Sequence, residues 1–327
     1  VRTVTLCLSC LFLLGLWFFT GNVWGLKTAN LTVTLMPFML TMYIYGLSAI
    51  WEIMALGPLF CALALFSSRR PRNTWWFLGA ILFCVCAVCL SWLCWLVILP
   101  CAWREVRSRR FAAGFTVGLS AIFLPIAWQL GALAATGVSF ATFLSHCMDR
   151  MGATQWDTAA PVMGYKQLVG VFLDRSENAF GAVLFGLSIL GLIYVASYAL
   201  CRRTRGELGA KWLLVLVVFG LPLNLLARNV ATYHDFFPIL FAPVVAILTA
   251  ILFLVLFEQL VKDKERQIHV PAFLSLLLAV SATTLWPCRD SILPNAGERV
   301  MQQLAIKLGD IVKADDVLLV SPGFVIA

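Results

Sequence analysis

Apolar residues run along this chain in long blocks that alternate with short polar segments. A helix that crosses a lipid bilayer needs about 20 consecutive, mostly apolar residues. The blocks that approach or exceed this length are Val4–Trp24, Leu31–Phe66, Trp75–Leu99, Phe111–Ala135, Phe180–Leu200, Trp212–Ala227, Ile239–Phe257 and Val270–Trp286. The pattern predicts an all-α, polytopic membrane protein, a bundle of about eight to ten transmembrane spans.

Two of the blocks are irregular. Leu31–Phe66 is too long for one straight helix, and it contains Pro37 and the pair Gly57–Pro58. Trp75–Leu99 has a basic segment on each side, and a single crossing would place these two segments on opposite sides of the membrane. We therefore predict that Trp75–Leu99 forms two short, partly inserted helices with a break near Ser91–Trp92.

Most Lys and Arg residues lie in the segments between the apolar blocks. They include Arg2; Arg69, Arg70 and Arg72; Arg104, Arg107, Arg109 and Arg110; Arg202, Arg203, Arg205 and Lys211; and Lys262, Lys264 and Arg266. Cytoplasmic loops of membrane proteins carry an excess of Lys and Arg, so we predict that these residues face the cytoplasm. The outer face then receives Gly25–Asn30, Thr136–Ala179, Arg228–Pro238 and the residues after Pro287.

The composition excludes most soluble protein classes. Of the 327 residues, 61% are hydrophobic and 12% are charged, whereas soluble domains have about 45–50% apolar and about 25% charged residues. A soluble enzyme, a coiled coil and a disordered chain are therefore excluded. The formal net charge of +8 would suit a nucleic-acid partner. Because the basic residues mark membrane topology, we predict no nucleic-acid binding.

The outer segment Thr136–Ala179 and the C-terminal tail differ from the spans. Thr136–Ala179 mixes aromatic with charged residues, a composition that predicts a helix lying in the membrane interface. In the tail, apolar residues recur at helical spacing over Val300–Ile311, before the strand-like run Val317–Val320. We therefore divide the chain into a transmembrane domain at 1–286 and the start of an extracytoplasmic α/β domain at 287–327.

Motifs of the common catalytic and metal sites do not occur in the sequence. The chain has no Gly-rich phosphate loop, no His-Glu-x-x-His and no Gly-x-Ser-x-Gly. Cys84, Cys86 and Cys89 have a metal-like spacing, but no His or carboxylate stands beside them. We therefore predict that these cysteines pack as small apolar residues and form no metal site.

Polar residues inside the apolar blocks are the first candidates for chemistry, because a polar group in hydrocarbon is energetically expensive. Glu52 lies in an apolar block, and Tyr45 precedes it. One interpretation places Glu52 at the edge of an internal cavity, facing a ligand or a cation. The alternative is a carboxylate that reaches the membrane interface or pairs with an Arg elsewhere in the fold.

Further candidates lie in the predicted outer segments. The segment Arg228–Pro238 between two apolar blocks brings together a cation, a phenol, an imidazole and a carboxylate, from Arg228, Tyr233, His234 and Asp235. Arg and protonated His form strong, charge-assisted hydrogen bonds with a phosphate anion. The alternative is an aromatic belt at the membrane surface with incidental polar neighbours. Arg150 either contacts a phosphate or sugar, or forms a surface ion pair with Asp149.

The order of these features resembles the GT-C superfamily of integral-membrane glycosyltransferases. Within it, the chain is similar to the bacterial relatives of protein O-mannosyltransferase and lipid A aminoarabinose transferase. Three pieces carry the resemblance: Pro37 with Tyr43, Tyr45, Glu52 and the basic turn Arg69–Arg72; the outer segment Tyr233–Pro238 running into Phe241–Pro243; and a long outer loop with Asp149–Arg150, ahead of paired spans and an α/β tail.

The resemblance implies a hexosyl or pentosyl transferase in a bacterial inner membrane. Such an enzyme moves a sugar from a polyprenyl-phosphate donor to a lipid, glycan or protein acceptor at the extracytoplasmic face, with inversion in one displacement. A lipid-borne donor needs no nucleotide-binding domain, which agrees with the missing phosphate loop.

The resemblance also assigns roles to particular residues. It gives Arg228, His234 and Asp235 contacts to the donor phosphate or its cavity, and it gives Glu52 a place in that cavity. The full set of candidate substrate-binding residues is Glu52, Tyr45, Arg150, Arg228, Tyr233, His234 and Asp235.

The chain departs from the family at its catalytic acid. In the family this acid lies in the loop after the first span, whereas Gly25–Asn30 contains no acid. We therefore expect that a first span and its acidic outer loop precede Val1, and we assign no catalytic base in this sequence. The sequence leaves open whether a divalent cation takes part.

Other functions compete with sugar transfer. A secondary transporter or lipid-linked glycan flippase often shows inverted repeats, and this chain has no matching halves. A polysaccharide polymerase or ligase would need an Arg-rich outer loop, but Thr136–Ala179 contains only Arg150 and Arg175. Sugar transfer is the leading hypothesis, while the sugar, the acceptor and the oligomeric state stay open.

Overall fold

A computed structural model describes residues 2–39, 51–68, 73–107, 111–150, 165–201, 209–217 and 240–261. The chain divides into two units, Val1–Leu285 and Trp286–Ala327. All described residues belong to the first unit, so the predicted α/β tail and the predicted span Val270–Trp286 lie outside them. The domain boundary placed at 286/287 stays a prediction.

The described residues are almost entirely helical. The helices are α1 (Arg2–Trp24), α2 (Leu26–Leu35), α3 (Trp51–Ser67), α4 (Thr74–Leu90), α5 (Trp95–Arg107), α6 (Phe111–Thr136), α7 (Phe140–Arg150), α8 (Tyr165–Phe180), α9 (Ala182–Cys201) and α10 (Ala242–Val261). Residues 209–217 are also helical, short 3-10 turns occur at Met36–Phe38 and Trp92–Cys94, and these ranges contain no strand.

Two of the described helices are long and apolar enough to cross a membrane. The stretches are Thr3–Trp24 in α1 and Phe111–Thr136 in α6. Four further helices, α3, α4, α9 and α10, contain shorter apolar stretches. The prediction of an all-helical apolar chain is thus confirmed for the described residues, with two stretches that meet the length of a span.

The helices α1 and α3 run in parallel and approach each other closely. A methyl group at Gly15 would lie 2.7 Å from the backbone nitrogen of Cys61, and one at Gly57 would lie 2.7 Å from the carbonyl oxygen of Leu8. Such close approach is possible only where one residue lacks a side chain. The contact buries α3, whose residues Ile53–Leu63 are all buried. It is the central helix of the described bundle.

The helices α5 and α6 form an antiparallel pair, and they too approach each other closely at a glycine. A methyl group at Gly114 would lie 2.6 Å from both the carbonyl oxygen of Ala102 and the backbone nitrogen of Val106. Further along, the Trp95 indole N–H donates to the carbonyl of Ala121 over 2.7 Å. The end of α5 therefore lies beside the start of α6.

The predicted break in the block Trp75–Leu99 is confirmed. The helix α4 ends at Leu90, Ser91 takes an extended conformation with φ −150° and ψ 114°, and the turn Trp92–Cys94 leads into α5. Ser91 donates its N–H to the carbonyl of Ala87 and accepts from the N–H of Cys94, so both flanking ends have a partner at the break.

The prediction that Gly25–Asn30 forms a loop is wrong. Gly25 alone forms the turn, with φ +97°, and α2 begins at Leu26. The helix α2 folds back along α1. A hydrogen bond shows this: the Trp17 indole N–H donates to the Asn30 side-chain oxygen over 2.8 Å. A glycine can adopt this left-handed conformation at little cost, so one residue is enough to reverse the chain.

The ends of α1 and α3 and the start of α4 lie together. The Asn22 amide donates to the carbonyl of Ala64 over 3.0 Å and to the Ser67 hydroxyl over 3.3 Å. The Trp76 indole N–H donates to the carbonyl of Leu65 over 2.9 Å. The Gly25 turn therefore lies at the same end of the bundle as Ser67.

The end of α5 and the start of the helical segment 209–217 reach this same end. The Trp212 ring lies 5.3 Å from the Phe19 ring of α1, and the Arg104 guanidinium lies 5.3 Å from the Trp212 ring. A methyl group at Gly209 would lie 2.6 Å from the Trp24 indole nitrogen. The helix α4 thus leaves this end of the bundle and α5 returns to it, as predicted for two short helices.

We call this the basic end, because the Arg- and Lys-rich segments 69–72, 104–110 and 202–211 adjoin it in sequence. The opposite end, where α3 begins at Trp51 and α4 ends at Leu90, is the distal end. The Gly25 turn lies at the basic end, whereas Arg2 begins α1 at the distal end. The predicted grouping of Arg2 with the basic segments, and the predicted separation of Gly25–Asn30 from them, are therefore wrong. Which end faces the cytoplasm stays a prediction.

Candidate functional site

The structure places two of the seven candidate substrate-binding residues. Glu52 is the second residue of α3, and Arg150 is the last residue of α7. The side chains of both lie outside the described part of the chain. The other five candidates lie wholly outside it: Tyr45, Arg228, Tyr233, His234 and Asp235.

Glu52 lies at the distal end, at the start of the central helix. It precedes Ser67 by about 22 Å along α3, given a rise of about 1.5 Å per residue, and Ser67 lies at the basic end. The next eleven residues of α3, Ile53–Leu63, are all buried. A carboxylate in the first turn of a helix is favoured by the helix dipole. Glu52 therefore lies at the distal end of the bundle, directly before the buried part of α3.

Arg150 belongs to the same half of the bundle. The helix α6 starts at the basic end, beside the end of α5, and is about 39 Å long. The turn at Gly137, with φ +70°, then leads to α7, which begins at Phe140. Because α7 spans only about 16 Å, its last residue stays in the half of the molecule away from the basic end. The helix lengths thus place both Glu52 and Arg150 away from the basic end.

The predicted interface helix has a structural counterpart in the segment Thr136–Ala179. This segment contains α7 and most of α8, which is joined to α9 through Gly181 with φ +78°. In α8, Phe172 packs against Phe241 with ring centroids 5.2 Å apart. The placement of these helices relative to a bilayer stays a prediction.

A cluster at the basic end was missed by the sequence analysis. Trp212 is 4% exposed and lies between Phe19 and the Arg104 guanidinium. The sequence pattern marked Trp212 only as the start of a span and Arg104 only as a topology signal. Glu105, the one acid in the run 104–110, is 3% exposed. A single acid inside a run of arginines was the sequence signal that this segment packs against the rest of the fold.

The described residues offer no metal centre. They contain no group of three or more His, Cys, Asp or Glu residues that could hold a metal ion. Cys84 is fully buried within the apolar core, so its predicted packing role is confirmed. Three buried hydroxyl groups have no hydrogen-bond partner in the described ranges: those of Thr20, Thr32 and Ser176.

Comparison with known proteins identifies no similar protein. No protein-family model matches the chain, and no curated protein or solved structure matches it. The resemblance to GT-C glycosyltransferases therefore rests on the residues quoted for it.

Proposed function

We propose that the chain is a multi-pass membrane protein. Large apolar side chains are exposed along α6 and α9, among them Phe123 (62%), Trp128 (67%) and Ile193 (57%). Soluble monomers rarely expose contiguous apolar surface of this kind, whereas lipid would cover it. The glycine contacts between α1 and α3 and between α5 and α6 are of the kind that packs transmembrane helices.

The basic end faces the cytoplasm in this proposal, and the distal end faces the outer side. The basis is the excess of Lys and Arg in cytoplasmic loops. Three basic segments adjoin one end of the described bundle, so one orientation satisfies all of them. Glu52 and Arg150 then belong to the outer half of the membrane protein.

The proposed activity is transfer of a sugar from a polyprenyl phosphate to an acceptor hydroxyl at the outer face. The observation that carries it is Glu52 at the distal end of the buried helix α3, in the same half as Arg150. A carboxylate there can bind sugar hydroxyls, and cationic side chains can stabilise the phosphate as it leaves. The prenyl chain stays in the lipid beside the bundle.

In the reaction, the acceptor oxygen forms a bond to the anomeric carbon of the sugar. The bond from that carbon to the phosphate oxygen breaks, and the electron pair stays on the lipid phosphate. The acceptor proton goes to a catalytic base, a role that we assign to no residue of this sequence. Arg228 and His234 are proposed to hold the phosphate while its charge increases.

The full-length protein in vesicles tests this proposal against the transporter alternative. We expect labelled sugar to move from a polyprenyl-phosphate donor to an acceptor, with formation of the free polyprenyl phosphate in equal amount. Vesicles without the protein are the control. Movement of solutes across the vesicle membrane, without any sugar transfer from the prenyl-linked donors, would instead establish a transporter.

A further inference from the structure

Two arginine side chains at the basic end are stacked on tryptophan rings. The Arg104 guanidinium carbon lies 5.3 Å from the Trp212 ring centre, and the Arg107 guanidinium carbon lies 6.0 Å from the Trp103 ring centre. Stacking uses the face of a guanidinium and leaves its N–H edge available for hydrogen bonds. No residue of the described ranges accepts a hydrogen bond from either guanidinium.

The exposed ionic side chains on the described helices at this end are positive. Lys27 in α2, Arg104 and Arg107 in α5, and Lys211 in the segment 209–217 are all exposed. The acid of α5, Glu105, has its side chain buried. The ionic groups that these three elements present to their surroundings are therefore all cationic, which favours an anionic partner.

Exposed aromatic rings lie at the same end. Trp75 in the first turn of α4 is 80% exposed, Trp103 near the end of α5 is 60% exposed, and Phe111 at the start of α6 is 63% exposed. Aromatic rings and basic side chains at the same end of a bundle are typical of the headgroup region of a bilayer. There the apolar part of each side chain contacts lipid and its polar part contacts headgroups and water.

We propose that the basic end binds anionic phospholipid of the cytoplasmic leaflet. Arg104 and Arg107 donate N–H groups to the lipid phosphate, and Trp103 lies against the headgroup. The stacking on Trp212 orients Arg104 before the lipid binds, because Trp212 is fixed by its contact with Phe19. The inference rests on the membrane placement proposed above and is independent of sugar transfer.

The test is lipid binding by the purified full-length protein in detergent micelles, counted by native mass spectrometry. Phosphatidylglycerol is the anionic probe and phosphatidylcholine the neutral one. We expect phosphatidylglycerol to bind more tightly. Each basic residue near an anionic lipid raises the affinity for that lipid about fivefold. The double variant R104Q/R107Q should therefore bind phosphatidylglycerol about 30-fold more weakly than the wild type.

Three matched comparisons make the result specific. Lys166→Gln removes one exposed positive charge from α8 and should leave binding unchanged. R107Q alone, at an exposed position, should weaken binding about fivefold, which keeps the test valid if the double variant folds poorly. R104K/R107K keeps both charges but loses the planar fork, so its affinity should lie between those of the wild type and the glutamine variant.

Several outcomes would overturn the proposal. One is equal affinity of the wild type for phosphatidylglycerol and phosphatidylcholine. Another is unchanged phosphatidylglycerol binding in a folded R104Q/R107Q variant. Displacement of the lipid by inorganic phosphate would assign the site to a free anion. Because no sugar donor is present, these outcomes do not depend on whether the protein transfers sugars.

Discussion

Replacement of Gly114 by Leu is expected to prevent α5 and α6 from packing. Even the first carbon of the new side chain would lie 2.6 Å from two backbone atoms of α5, the oxygen of Ala102 and the nitrogen of Val106. Backbone atoms inside a helix cannot move aside as the tip of a side chain can, so the two helices must separate. The free energy of unfolding should fall by more than about 3 kcal/mol, beyond the usual range for overpacking.

The measurement is the yield of monodisperse protein after detergent extraction, followed by its thermal unfolding midpoint. Gly131→Leu is the matched control, because it lies in the same helix and nothing lies within 4 Å of its added carbon. That variant should stay within about 0.5 kcal/mol of the wild type. Equal behaviour of the two leucine variants would contradict the close contact between α5 and α6.

Replacement of Arg228 or His234 by Ala is expected to reduce sugar transfer about 100-fold or more, since loss of one preorganised group that stabilises developing charge has this effect. The reason is that the leaving lipid phosphate gains negative charge in the transition state. Initial rates with a polyprenyl-phosphate sugar, at saturating and at low donor, separate a loss of turnover from a loss of donor binding.

A matched control for this pair is His269→Ala. His269 follows the basic segment Lys262–Arg266, on the predicted cytoplasmic side, so its replacement should leave transfer unchanged. Extraction and chromatography of all three variants should match the wild type. Unchanged turnover in both Arg228→Ala and His234→Ala would remove these residues from the site.

Much of the helical framework could be predicted from local features of the sequence. The length of the apolar blocks gave α1 and α6, and the requirement that two basic segments share one side gave the break at Ser91. The reversal at Gly25 could not be predicted in the same way. A single glycine with positive φ inside an apolar run leaves no change in hydrophobic pattern, so Leu26–Leu35 read as a loop and part of a span.

The basic-end cluster could not be predicted because it joins residues far apart in sequence. Phe19, Arg104 and Trp212 come from three helices, and their contact depends on the parallel packing of α1 with α3 and the return of α5. Composition gave the sign of the charge at this end, but it could not show that Glu105 is buried while its basic neighbours are exposed. Burial of one charged residue is decided by packing.

The candidate site was predictable only in part, for a related reason. Glu52 could be recognised as costly in an apolar block, but its position at the distal end follows from the register of α3 against α1. That register is set by Gly15 and Gly57, which the apolar pattern treats like any other small residue. The position of Arg150 depends in turn on the length of α6 and the turn at Gly137.

The most direct test of the account is sugar transfer measured in vesicles of known orientation. Trypsin cleavage within 202–211 identifies vesicles whose basic end faces outward, and the acceptor is one that cannot cross a bilayer. With donor on both leaflets, the account predicts product only in vesicles that trypsin does not cleave there, where the end bearing Glu52 meets the acceptor. Product formed only in the trypsin-cleaved vesicles, or none in either orientation, would contradict it.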